Sequence, residues 1–136
     1  MMQPAYEEIE HTADWALRVR GRNLTDLFSN AACGMLSLLA IEPVPGKAES
    51  RSFALKAEDT ETLLVSWLEE LLYPLEVEGA VVVDFQVEVL EEVQLKATIK
   101  LKKIASIKKE IKAVTFNELD IRAANFGYET IIVFDV

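Results

Sequence analysis

Hydrophobic and polar residues alternate from Trp15 to Arg20, with Trp15, Leu17 and Val19 on one face and Arg18 and Arg20 on the other. That period predicts a half-buried strand, which Gly21 ends. From Leu24 the spacing lengthens, and Leu24, Leu27, Phe28, Ala31, Ala32, Met35, Leu38 and Leu39 predict an amphipathic helix that Asn23 caps and that stops before Pro43. Its small residues Ala31, Ala32 and Gly34 predict close packing against a sheet, and Cys33 is expected as inert core. Residues 42–50, with Pro43, Pro45 and Gly46, read as a loop inside one domain. Phe53 and Leu55 then predict a short strand. A second helix is expected from Thr60 to Tyr73, capped by Asp59 and ended by Pro74, with Leu63, Leu64, Trp67, Leu68, Leu71 and Leu72 inward. Glu61, Glu69 and Glu70 are expected to face water.

The second half of the chain changes period. Val81, Val83, Phe85, Val87 and Val89 alternate with Asp84, Gln86 and Glu88, and Val93, Leu95, Ala97, Ile99 and Leu101 alternate with Gln94, Lys96, Thr98 and Lys100. This predicts a hairpin turning at Glu91 and Glu92, its register supported by acids on one strand facing bases on the other. Two further strands are expected, around Ile111–Phe116 and Thr130–Val136. The longest adjacent strands are joined too tightly for a parallel crossover, so the order predicts an α+β fold: two helices packed on mainly antiparallel or mixed β-sheet. Two helix-plus-strands units in succession leave an internal duplication open.

With 136 residues, 51% of them hydrophobic, residues 1–136 make one ordinary domain. A net charge of −9 disfavours direct nucleic-acid binding, because a phosphate backbone would repel the chain as a whole. The single cysteine rules out an internal disulfide, and no leader-like run precedes the first strand, so a cytoplasmic location is expected. A membrane role is not expected, since no apolar run reaches the roughly 18 to 20 residues that cross a bilayer.

The candidate chemistry is sparse. His11-Thr12-Ala13-Asp14 places a histidine and a carboxylate on a turn directly before the first predicted strand. Asp14 reads either as a turn residue bonding nearby N–H groups or as a ligand. At the other end Ile131 to Val136 reads as a strand up to the last residue, which would anchor the Asp135 side chain and the Val136 carboxylate close together. Joined by Asp14 they would make an all-oxygen set suited to calcium or magnesium rather than zinc; otherwise they are solvated chain-end charges. His11 is the only histidine, which excludes a two-histidine zinc site and leaves Cys33, Ser29 and Thr115 without a paired base for nucleophilic catalysis. His11 itself reads as a structural histidine. Lys108, Lys109 and Lys112 form a short basic run, in general a solvated face, and the scattered glycines form no phosphate loop.

Taken in order, residues 6–14, the helix from Leu24 to Met35, residues 67–73, Ile111-Lys112-Ala113-Val114-Thr115-Phe116 and the ending Val133-Phe134-Asp135-Val136 resemble the archease family over essentially the whole chain. The resemblance implies a non-catalytic activator of an RtcB-type RNA ligase in tRNA splicing and RNA repair. Such a protein promotes guanylylation of the ligase and its multiple turnover, and GTP concerns it only through the ligase. It further implies a divalent cation, calcium ahead of magnesium, on Asp14, Asp135 and Val136, with Lys112 and His11 as partner contacts. Asn117 departs from the family pattern, where histidine often follows the aromatic of the lysine motif. The competing reading is a general chaperone-like binding module for RNA-processing proteins.

Overall fold

The computed structural model describes residues 4–10, 15–106 and 110–136. Ten elements follow in order: β1 (Tyr6–Ile9), β2 (Trp15–Gly21), α1 (Leu24–Leu39), β3 (Glu49–Lys56), α2 (Thr60–Val77), β4 (Ala80–Leu90), β5 (Gln94–Lys103), β6 (Ala113–Thr115), β7 (Arg122–Ala124) and β8 (Gly127–Asp135). The predicted α+β class holds, and every strand pair is antiparallel. β1, β2, β8 and β6 lie side by side in one sheet with β7 also on β8, while β3, β5 and β4 form a second sheet. Each helix touches both sheets, α1 through β2 and β4, α2 through β4 and β6. Leu27, Phe28, Met35, Leu63, Trp67 and Leu68 fill the space between them without solvent exposure.

Local chemistry explains the helices. The Asn23 side chain accepts the Asp26 N–H at 2.8 Å and Asp59 accepts that of Thr62 at 2.7 Å, each satisfying a donor that the first turn leaves open. Gly34 lets α1 lie on the sheet: a Cβ there would come within 2.9 Å of the Leu17 side chain and 3.1 Å of the Tyr6 ring. Trp67 ties the two helices by donating its indole N–H to the Phe28 carbonyl at 3.0 Å, and its ring meets Phe85 edge-on at 5.7 Å.

The hairpin of β4 and β5 turns where expected, with Glu91 and Glu92 both at positive φ. Its polar face pairs Asp84 with Lys100 and Glu88 with Lys96 in register, the latter with charged atoms 3.8 Å apart.

Five expectations need correction, the first being Val83, which a bulge between Val82 and Asp84 leaves exposed while Val82 takes the inward place. Pro74 does not end α2, which runs on to Val77: the carbonyl that proline leaves unbonded is that of exposed Glu70, and Leu75 beyond it is buried. Cys33 is exposed rather than core, because it shares the outward side of α1 with Ser37; partial burial still pushes its thiol pKa up. Glu61 is not simply solvated, since its carboxylate accepts the Ile121 N–H at 3.1 Å and ties the loop after β6 to the start of α2. Finally, β1 and β7 add to the expected strands, and β8 begins at Gly127 rather than Thr130.

Candidate functional site

Three segments distant in sequence meet at one end of the five-stranded sheet. Trp15, the first residue of β2, pairs with Phe134 of β8. Asp135 pairs on its other side with Ala113, the first residue of β6, and the Lys112 N–H donates to the Asp135 carbonyl at 2.7 Å. The two motifs that the sequence singled out near residues 112 and 135 are therefore neighbours across a strand pair. Asp14 and His11 lie outside the described residues, as do Lys108 and Lys109; what the structure fixes is the residue after Asp14, held beside the residue before Asp135.

The segments are anchored from beneath. Phe134 is fully buried, Ile111 and Val114 nearly so, while Lys112 and Asp135 stand exposed between them. Phe134 lies in the run Ile132–Phe134 that β8 buries, Asp135 is the exposed last residue of that strand, and Ile111 and Lys112 precede β6. Val136 is 36% exposed. Thr115 adds a cross-link by donating its hydroxyl to the Val133 carbonyl at 3.0 Å, and it accepts the Asn117 N–H at 3.2 Å. Asn117 is itself exposed.

Chemically, this end offers an ammonium and a carboxylate on rigid backbone. Among the described residues no hydrogen bond or ion pair occupies the Asp135 carboxylate. Nor does any group of three or more His, Cys, Asp or Glu side chains stand ready for a metal among those residues. An exposed, unengaged carboxylate on a pinned strand does fit one oxygen ligand of a hard divalent cation. The neighbouring outer face of the same sheet is already neutralised: Glu7 accepts from Arg18 and Arg20, each at 3.2 Å, and Glu129 lies 3.1 Å from Arg20 Nε. The Arg18 bond, followed by that of Arg20, holds the Glu7 carboxyl below its ordinary range.

Sequence reasoning read Trp15 only as the start of a strand. Its pairing with Phe134 is what closes this end of the sheet, and no local signal announces a register between positions so far apart. No described helix is long and apolar enough to cross a membrane.

Residues 6–136 match the model of the Archease protein family. The chain is 38% identical over 142 residues to "Protein archease" of Methanosarcina mazei, covering 96% of this chain and 95% of that one. It is 34% identical over 135 residues to "Protein archease" of Archaeoglobus fulgidus, with 96% and 98% covered. Its fold is similar to a crystal structure from Thermotoga maritima described as an archease and possible chaperone, with a TM-score of 0.69 at 23% identity, covering 100% of this chain and 98% of that one.

Proposed function

Because this chain belongs to the archease protein family, we propose that it is a non-catalytic activator of an RtcB-type RNA ligase, acting in the cytoplasm in tRNA splicing and RNA repair. It promotes guanylylation of the ligase and returns the ligase to further turnovers, and GTP is bound by the partner alone. The observation that supports this reading is the meeting of Trp15, Lys112 and Asp135 at one end of the sheet. Asp14, Asp135 and an oxygen of Val136 would hold a divalent cation there, calcium ahead of magnesium, because calcium accepts irregular oxygen shells that magnesium does not. Such an ion supplies positive charge at the protein surface.

The chain's own residues do the positioning. The bond from the Lys112 N–H to the Asp135 carbonyl holds the Lys112 backbone beside β8, and its exposed side chain can meet a negative group of the ligase or of the nucleotide the ligase carries. A charge carried on an anchored backbone stabilises a partner conformation at a smaller ordering cost than one on a loose segment. Net charge agrees with a protein client: at −9 the chain repels RNA and is drawn to the basic surface of a protein that handles RNA.

Ligation by substoichiometric ligase, with and without this protein, tests the proposal. Asp14→Ala and Asp135→Ala are expected to abolish stimulation with the thermal unfolding profile retained, and chelator is expected to do the same to the unaltered protein. Full stimulation of guanylylation by Asp14→Ala would refute the cation reading, and no stimulation by the unaltered protein would refute the activator reading. The chaperone-like alternative draws on the exposed apolar side chains Tyr73, Val77, Phe116 and Phe126. It predicts suppressed aggregation of unrelated clients regardless of chelator.

A further inference from the structure

The three-stranded sheet has two outer edges, and the chain treats them differently. On β4 the outward N–H of Phe85 is taken by the Asp84 carboxylate at 2.9 Å and that of Val89 by the Thr25 hydroxyl at 2.9 Å. On β3 no side chain plays that part. β3 pairs with β5 alone, and the Ala57 N–H, donated to the Val93 carbonyl at 2.9 Å, fixes which residues turn towards β5. By the two-residue period of a strand, the N–H and C=O of Ser50, Ser52 and Ala54 turn the other way, to the free edge. Among the described residues nothing bonds them there. The usual guards of an exposed edge are missing as well. β3 has no proline and no bulge over its eight residues, and its exposed face carries only Ser50, Ser52 and Ala54 before a charge at Lys56.

The helix over this edge is also unfinished. Arg51 of β3 bonds Glu78 at 2.7 Å and Phe53 meets the Trp67 ring at 6.1 Å, so the second half of α2 is tied down over β3. Its outward side carries Tyr73, 53% exposed, and Val77 one turn on, 60% exposed. Phe53 and Leu55 of β3 stay half-buried at the rim of the core, with no strand beyond them. Glu69, Glu70 and Glu76 are exposed on α2, and among the described residues no cation pairs with them.

We propose that the free edge of β3 docks one extended segment of a basic protein partner, which joins the antiparallel sheet as its fourth strand. The unbonded groups of Ser50, Ser52 and Ala54 select an extended backbone, because only a strand presents donors and acceptors at that spacing. On the outer face their small side chains leave the approach open. On the α2 side every second residue of the segment would extend the cover over Phe53 and Leu55, which suits β-branched apolar groups. Lysine or arginine beside them would meet Glu69, Glu70 and Glu76, and the net charge of −9 draws such a segment at long range. Charge also decides against a second copy as the occupant, since it would bring another α2 with the same three acids to the same side of the sheet. The inference goes beyond the proposed function, whose site lies at the end of the other sheet, and rests on it only for the expectation of a basic protein client.

The test follows amide resonances of the isotope-labelled full chain during titration with a short capped peptide in which threonine alternates with valine and lysine. Two controls match it, one N-methylated at its threonine amides and one with glutamate in place of lysine. The expected result is saturable movement of the Ser52 and Ala54 resonances by the basic peptide, with their amide exchange slowed, and about tenfold weaker binding of either control. Ser52→Pro removes the central donor of the edge and no bond to β5, so it should unfold at the same temperature and bind about tenfold more weakly. Glu70→Lys, which leaves the backbone untouched, should weaken the basic peptide by about two- to fivefold and strengthen the acidic one. Equal binding of the N-methylated peptide, no movement at β3 up to millimolar peptide, or unchanged binding by Glu70→Lys would overturn the proposal. Movement of the same resonances with protein concentration alone would give the edge to a second copy and overturn the choice of occupant. None of these outcomes touches the activator reading, which ligase guanylylation tests separately.

Discussion

Three glycine-to-alanine replacements separate the two reasons a chain needs glycine, and the structure ranks them. At Gly79 the backbone sits at φ +62 and an added Cβ meets nothing within 4 Å. Gly79→Ala therefore reads left-handed strain alone, about 1–2 kcal/mol. Gly21 is a collision instead: its Cβ would lie 2.3 Å from the Leu27 nitrogen and 2.6 Å from the Leu27 Cα. Atoms at ordinary contact stand about 3.5–4.0 Å apart, so the start of α1 must retreat by roughly 1 Å, which forfeits about a quarter to a half of the dispersion well of what it buries. Leu27 and Phe28 are fully buried there, and at about 1.5–3 kcal/mol each the expected loss is about 1–3 kcal/mol. Gly127 combines both, with φ +137 and a Cβ that would fall 2.2 Å from the Gly21 carbonyl oxygen. Adding about 1–3 kcal/mol of backbone strain brings Gly127→Ala to about 2–6 kcal/mol, a large share of a typical domain's stability. Urea unfolding followed by tryptophan fluorescence measures all three, since Trp67 is fully buried. If Gly21→Ala leaves the midpoint where the unaltered protein has it, the close approach of β2 and α1 is not there and the ranking fails.

Further outcomes follow from single contacts. Asn23→Ala should cost about 1 kcal/mol by removing the acceptor for the Asp26 N–H, and Asn23→Asp should restore most of it in the same urea titration. Glu78 is held below the usual carboxylate range, first by its bond from Arg51 at 2.7 Å. Its contribution to stability is therefore fully present above the ordinary glutamate range and is lost as pH falls through the lowered folded value. Glu78→Gln should flatten that acid limb of a stability–pH curve; an unchanged slope would refute the role. Thr25→Val should destabilise by about 1–3 kcal/mol, because the Val89 N–H on the free edge of β4 loses its hydroxyl acceptor at 2.9 Å; amide exchange at Val89 would then speed up.

What the sequence made legible was what short-range chemistry decides. Both helix starts could be read because Asn23 and Asp59 act on N–H groups three residues away. The hairpin register could be read from Asp84 onward because Asp84, Glu88, Lys96 and Lys100 carry its charge pattern, whereas the bulge between Val82 and Asp84 left no such mark. By contrast, β1 and β7 are four and three residues long, too short for a period, and exist because β2 and β8 offer them an edge. Pro74 misled because a helix rule about a lost donor was applied where the abandoned carbonyl belongs to an exposed residue, Glu70. In the candidate site, the anchored ending of the chain and the lysine motif were each readable, but their adjacency was not. It depends on a register between β6 and β8 that only the folded sheet sets.

The pairing of Trp15 with Phe134 also bears on when the site comes into being. Contacts between distant positions carry the largest loop-closure entropy and form late, while the β4–β5 hairpin and the two helices need only local closure. A chain emerging from synthesis thus has its core hairpin and helices available well before residues 112, 134 and 135 can be brought together. The surface assigned to the partner is a product of the last closure, so an incompletely made or locally opened copy does not display it. Binding of a partner there would, by mass action, favour the closed sheet and slow its opening.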